Sequence, residues 1–196
     1  MEDDDALYLP VLLGTVRRGR ASEHVATYVV ERLERQPGVE TRLVDPRELP
    51  FGNLKAREWE MDPRPPEVAR FVADMGRADG FLVVTPEYNH GLPGALKNLF
   101  DHLYDEWNRK PFAVVSCGGV SGGLRAVGLL RQVVAGLAAV SVPKEVPVQR
   151  VGKVFGPEGP REDQDAWAKR IDGLAEELAW YARALKAARE QQVLVA

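Results

Sequence analysis

Residues 80–103, GFLVVTPEYNHGLPGALKNLFDHL, change their hydrophobic period within one short stretch, and this restricts the fold more than any other feature of the chain. The apolar run at residues 81–84 is short and rich in β-branched side chains, as in a strand covered on both faces. Residues 85–91 form a polar break containing Pro86 and Gly91. From Leu92 the period turns helical: Leu92, Leu96, Leu99 and Leu103 share one stripe, and Pro93 suits the first turn. A strand that runs through a loop into a helix puts that loop at the carboxyl edge of a parallel sheet, where open α/β sheets bind ligands. Glu87, Tyr88, Asn89 and His90 are crowded into that loop, an odd content for a mere connector. They read as a segment lying along the edge of a flat ring.

The same grammar recurs along the chain. Residues 7–13 read as a first buried strand, delivering the chain into GTVRRGRASEH and then a helix over 21–33 with Val25, Val29 and Leu33 on one face. A second strand, 39–44, closes at Asp45. Residues 46–66 are a long proline-punctuated connection carrying Leu49, Phe51 and Trp59, of a length usually found in lids and contact surfaces. A short helix over 66–75 feeds the strand at 81–84. Residues 110–116 are a fourth buried run, ending in SCGGVSGG before a helix over 124–138. The fifth strand spans 140–142 and continues irregularly towards Val148, followed by a polar loop over 149–160. One amphipathic helix then fills 162–191, with Trp167, Ile171, Leu174, Leu178, Tyr181 and Leu185 at helical spacing. Alternating strands and helices predict an α/β fold, a five-stranded parallel sheet with helices on both faces and right-handed crossovers. In the order 2-1-3-4-5 the loops after strands one, three and four meet in one crevice. A single domain over 1–196 is expected, with residues 1–6 (Glu2, Asp3, Asp4, Asp5) as a solvated tail.

Two of those loops suggest what the crevice holds. The first presents backbone N–H groups at a helix start, hydroxyls from Thr15 and Ser22, and the charges of Arg17, Arg18 and Arg20. That donor set suits a phosphate monoester. It is neither a P-loop nor the G-x-G-x-x-G dinucleotide fingerprint. Its bland alternative is a basic turn with Ser22 as helix N-cap. The loop after the fourth strand has four glycines within residues 118–123, so its backbone can approach a ligand closely. A phosphate grip at one end and an aromatic and glycines at the other fit a ligand with a phosphate tail and a flat head; FMN is the candidate.

Composition closes off other classes. A chain of 196 residues, 45% hydrophobic and 28% charged, is an ordinary soluble domain. Its net charge of −3 gives no electrostatic case for nucleic acid or a membrane surface. No apolar run reaches the ~18 residues of a membrane span, no signal layout opens the sequence, and a cytoplasmic location is expected. The single cysteine, Cys117, excludes an internal disulfide framework.

GTVRRGRAS, TPEYNHGLPGALKNLFDHL and SCGGVSGGLRA together resemble the NADPH-dependent FMN reductase family of flavodoxin-like proteins, over about residues 7–148. PEYN followed by PG-x-LKN-x-x-D is the most specific of these motifs. The resemblance implies a flavodoxin-like three-layer sandwich and non-covalent FMN. It implies hydride transfer from NADPH or NADH to the flavin N5, then on to a small-molecule acceptor: flavin, quinone, azo compound or metal oxyanion. It implies no catalytic side chain, since the flavin carries the chemistry, and a homodimer or homotetramer. By resemblance Thr15, Arg17, Arg20, Ala21 and Ser22 flank the phosphate. Pro86, Glu87, Tyr88, Asn89 and His90 line the ring, while Ser116, Cys117, Gly118, Gly119 and Gly122 close its far edge. The chain departs from the family pattern at Thr15, where serine is common, and at Cys117, where a larger side chain is common.

Rival readings are weaker or less specific. Gly119-Val120-Ser121-Gly122-Gly123 matches G-x-S-x-G, but the chain's three histidines, His24, His90 and His102, all precede Ser121, contrary to the order a hydrolase of that type needs. Cys117 lacks an arginine at phosphatase spacing, the next being Arg125. Arg18 and Arg20 are candidates for a nicotinamide nucleotide's 2′-phosphate on charge alone. The rival of a different class is a flavin-binding or redox-sensing protein without turnover.

Overall fold

The computed structural model describes residues 6–191, so the acidic run Glu2–Asp5 lies outside the described residues. Seven strands belong to the central layer or its margin: β1 (Leu7–Tyr8), β2 (Val11–Leu13), β3 (Val39–Glu40), β4 (Leu43–Val44), β5 (Phe81–Pro86), β6 (Pro111–Cys117) and β7 (Val140–Val148). Five form one sheet in the order β4-β2-β5-β6-β7, and each neighbouring pair is parallel. Renumbered by the five expected strands, this is 2-1-3-4-5. The first two expected strands are each split. Pro10 has no N–H to give a ladder, so β1 pairs separately with β3 before β2 joins β4 and β5. The fifth strand runs the full Val140–Val148, with a register irregularity opposite Phe112 and Val114.

Helices cover both faces. They are α1 (Ser22–Leu33), α2 (Pro66–Arg77), α3 (Gly94–His102), α4 (Leu124–Gly136), the short α5 (Val151–Val154) and α6 (Gln164–Glu190). Strand side chains alternate between two cores, as the period of two requires. Val11, Leu13, Leu82, Val84, Ala113 and Val115 face α1 and α6. Leu12, Phe81, Val83, Phe112 and Val114 face α2, α3 and α4. The second core centres on buried Trp107, whose ring meets Phe71, Phe81, Phe100 and Phe112 edge-on, while its indole N–H donates to Phe100 O at 3.2 Å.

Two expectations need correction. The stripe Leu92–Leu103 overruns the helix, because α3 begins after Pro93 and ends at His102, leaving Leu92 and Leu103 as flanking contacts of the same core. The polar loop expected over 149–160 contains α5 and a small hairpin, β8 (Phe155–Gly156) with β9 (Gly159–Pro160). Phe155 anchors that hairpin, packing edge-on to both Tyr28 and Trp167.

Candidate flavin site

The three loaded loops converge. Arg17, Gly19, Arg20, Ala21 and Ser22 from the first, Pro86, Glu87 and Tyr88 from the second, and Cys117, Gly118 and Gly119 from the third surround one cavity of about 270 Å3. Val151 of α5 completes the wall. Parallel pairing causes this: β2, β5 and β6 are adjacent and their carboxyl ends coincide. Gly14 makes the adjacency possible, since a Cβ there would lie 2.7 Å from Thr85 Oγ1.

The first loop presents polar groups to the crevice that have no partner among the described residues. Ser22 is 3% exposed, and its hydroxyl has no hydrogen-bond partner among the described residues. The N-cap role foreseen for it is not taken, because Ser22 is already helical and caps nothing. The amides of Gly19, Ala21 and Ser22 likewise make no hydrogen bond among the described residues. A buried hydroxyl such as that of Ser22 is rarely left so, whereas Gly19 is exposed and Ala21 half-buried; an acceptor entering from the crevice would satisfy all of them. Thr15 is buried, accepts from the Arg17 amide at 3.3 Å and shares a 2.7 Å hydrogen bond with the Tyr88 phenol, tying the first loop to the second.

Arg20 behaves differently from the anion contact expected of it. It is buried, and its guanidinium donates to Thr15 O, to both carboxylate oxygens of Asp45 and, at 3.3 Å, to Glu23. Burial disfavours its charge, yet the bonds to Asp45 and Glu23 outweigh this and raise its pKa. Arg20 therefore shapes the loop from beneath and has little left to offer a phosphate or a 2′-phosphate. Arg47, which sequence reasoning passed over, braces the loop from outside by donating to Val16 O and Arg17 O.

The second loop is a two-residue reverse turn. Tyr88 and Gly91 exchange both backbone hydrogen bonds, at 3.1 and 2.9 Å, and Asn89 (φ 48°) and His90 (φ 65°) hold left-handed conformations. Both are exposed at the tip, outside the cavity lining. Glu87 fastens this turn to the third loop: its amide donates to Cys117 O at 3.0 Å, and its carboxylate accepts from the Arg125 amide at 3.0 Å and guanidinium at 3.1 Å. Burial would raise the Glu87 carboxyl, but the two Arg125 donors outweigh it and hold it below the usual range. Arg125 sits in the first turn of α4, where a carboxylate is also favoured by the helix dipole.

In the third loop Gly118 and Gly119 face the cavity, whereas Ser116 and Gly122 support it. Ser116 is fully buried and its hydroxyl donates to Gly122 O at 2.8 Å. Gly123, with φ 89°, brings the chain back so closely that a Cβ would lie 2.8 Å from Cys117 O. The Cys117 side chain is fully buried and its thiol is pushed up to about 12 by that burial, so it is no nucleophile near neutral pH. Among the described residues no cluster of histidine, cysteine and carboxylates is arranged to hold a metal, and no helix is long and apolar enough to cross a membrane.

A five-stranded parallel sheet with helices on both faces, three of its loops meeting at one carboxyl edge, defines the flavodoxin-like class. A family model described as NADPH-dependent FMN reductase matches residues 9–152, and the chain belongs to that family. It is similar to an NAD(P)H-dependent FMN reductase of Schizosaccharomyces pombe, 34% identical over 158 residues that cover 72% of this chain and 76% of the relative. An NADPH azoreductase of Bacillus sp. is 32% identical over 142 residues, 70% of this chain and 74% of that one. Among solved structures, the flavoenzyme FerB, an NAD(P)H:(acceptor) oxidoreductase of Paracoccus denitrificans, superimposes with a TM-score of 0.74 at 24% identity, over 91% of this chain and 98% of FerB.

Proposed function

We propose that this member of the family is an FMN-dependent NAD(P)H oxidoreductase whose crevice holds the FMN phosphate at the first loop and its ring between the second and third. The observation that carries the reading is the buried Ser22 hydroxyl, without a partner among the described residues, at the wall shared by all three loops. A buried hydroxyl costs about 1–3 kcal/mol when unpaired, a cost that a phosphate oxygen arriving there removes. FMN held there would supply two-electron chemistry between NAD(P)H and a quinone, azo compound, metal oxyanion or free flavin.

The chain's own residues bind and orient. The free amides of Gly19, Ala21 and Ser22 and the exposed Arg17 take the dianion. Tyr88 positions Thr15 through their shared hydrogen bond, in which either hydroxyl can donate, and so holds the first loop against the second behind the cavity lining. Gly118 and Gly119 leave room for a flat edge at the backbone, and the Gly119 amide, which has no partner among the described residues, is available to a ring carbonyl. The Glu87–Arg125 clasp keeps these two walls at a fixed separation. With Cys117 inert and no nucleophile in the lining, the protein's contribution is position and electrostatics.

The test is an anaerobic titration of the FMN-loaded protein with NADPH and then NADH. Bleaching of the yellow colour and its recovery in air supports the reductase. Colour that persists under both nucleotides overturns turnover and leaves a flavin-binding protein. Assembly as a homodimer or homotetramer is part of the same proposal, with exposed Leu54, Trp59 and Tyr104 as the apolar surface, and light scattering at micromolar concentration tests it.

A further inference from the structure

Behind the third loop lies a second cleft of about 570 Å3 that the flavin does not account for. Its charged lining is mostly cationic: Arg150, Lys153 and Arg161 are exposed, and none forms an ion pair among the described residues. Trp167 supplies a half-buried aromatic face, with the Arg170 guanidinium 4.3 Å from its ring centroid. Val120, 75% exposed, overhangs the entrance. Glu162 and Asp163 also stand in the lining, so its three cations exceed the acids by one.

The cleft and the crevice are two sides of one turn. Arg150 N–H donates to Gly119 O at 2.8 Å and Val151 N–H to Gly118 O at 3.3 Å, so α5 is fastened to the glycine turn itself. Val151 then lines the crevice while Arg150, Lys153 and Val154 line the cleft. Arg150 holds φ 47°, a left-handed conformation that costs a non-glycine residue about 1–2 kcal/mol. Strain of that kind tends to be retained where a binding surface needs it.

Resting on the flavin reading above, we propose that this cleft takes the phosphorylated adenosine end of the nicotinamide dinucleotide and favours NADPH over NADH. A nucleotide with its nicotinamide in the crevice reaches the cleft by crossing the Gly118–Val120 turn. Its adenine stacks on Trp167, as bases stack on aromatic faces, and its 2′-phosphate meets Lys153, Arg150 and Arg161. Arg20, the earlier candidate for this phosphate, is buried against Asp45. The other large cavity, about 600 Å3 beside α2, shares no lining residue with the crevice, and its Arg42 and Arg77 are already paired with Asp74 and Glu40.

Calorimetric titration of the FMN-loaded protein with adenosine 2′,5′-bisphosphate and with 5′-AMP tests this. The bisphosphate is expected to bind at least tenfold tighter. In the double variant Arg150→Asn, Lys153→Glu that preference should fall to less than threefold, with FMN affinity unchanged; asparagine is chosen because it tolerates the left-handed backbone. In stopped-flow reduction the same variant should raise KM for NADPH and leave KM for NADH unaltered. Equal affinity for the two probes in the wild type, or an intact preference in the variant, overturns the proposal. Failure of the flavin reading shows separately and earlier, as wild-type protein that takes up no FMN, and would remove this proposal with it.

Discussion

The two edges of the sheet are built to opposite rules. At the amino edge the charged groups Asp79 and Lys110 each hold several partners, and among the described residues Asn108 Oδ1 is the exception, buried without one. Asp79 accepts from the Tyr8 amide at 3.1 Å, from Lys186 at 3.4 Å and from Arg189 at 3.2 Å, which pins the end of α6 to the strands. Lys110, 6% exposed, donates to Met75 O and Gly76 O at 2.8 and 2.7 Å and so satisfies the last carbonyls of α2. At the carboxyl edge, donors are left over: the Ser22 hydroxyl, the loop amides and the cations of α5. Left-handed backbone occurs at both edges, at Asn89, His90, Gly122, Gly123 and Arg150 here and at Gly38, Arg109 and Ala138 on the amino side. One edge holds the molecule together, and the other holds its capacity to bind.

Breaking the satisfied edge should have the largest effect. Asp79→Ala leaves Lys186, Arg189 and the Tyr8 amide without their acceptor. It should lower stability by about 2–3 kcal/mol in urea melts, less than for a fully buried pair because the cations are about a quarter exposed. FMN affinity should not change. Ser22→Ala inverts this pattern: stability should move by less than about 1 kcal/mol, towards stabilisation, because the lost hydroxyl had no partner. FMN affinity should fall about tenfold, since a hydrogen bond to a charged group is worth about 1.5–3 kcal/mol. Tyr88→Phe, which unties Thr15 without emptying the cradle, should weaken FMN binding by about threefold in a fluorescence titration.

The edges should also differ in their response to pH. Glu87 is depressed in the folded state, so the stability its clasp gives is complete above the ordinary carboxylate range and is lost as pH falls through the lower folded value. Glu87→Gln should therefore flatten the acid limb of the stability profile. Lys110 is pushed down to about 8, by burial first and then by Arg189. Because the unfolded chain binds the proton more tightly, stability should rise from about pH 8 towards the ordinary lysine value, and Lys110→Met should abolish that rise. His90→Gly is the smallest change: it relieves a left-handed residue worth about 1–2 kcal/mol against glycine's entropic cost of about 0.5–1 kcal/mol, and should stabilise by less than about 1 kcal/mol in urea melts.

What could be read from the chain follows from the range of the interactions involved. Residues 81–84 and 112–115 announce buried strands because their apolar periodicity is local, and strand order follows once three loops carry chemistry. The brace of Arg47 on Val16 and Arg17 and the clasp of Arg125 on Glu87 join positions some thirty or more residues apart, and neither arginine stands out in sequence. Arg20 illustrates the same limit from the other side. Its charge and position suggested an anion contact, but Asp45, at the end of a different strand, draws it inward. The α5 segment and the hairpin at 155–160 were hidden in polar, glycine-rich composition, because only Val151, Val154 and Phe155, too few for a periodic pattern, supply their core contact.

The most direct measurement compares FMN with riboflavin, which lacks only the phosphate, by fluorescence titration of the apo-protein and of Ser22→Ala. If the unpartnered donors of the first loop await a dianion, wild type should bind FMN at least a hundredfold more tightly than riboflavin, and the substitution should shrink that ratio about tenfold. Equal affinities for the two flavins, or a ratio indifferent to Ser22, would contradict the account.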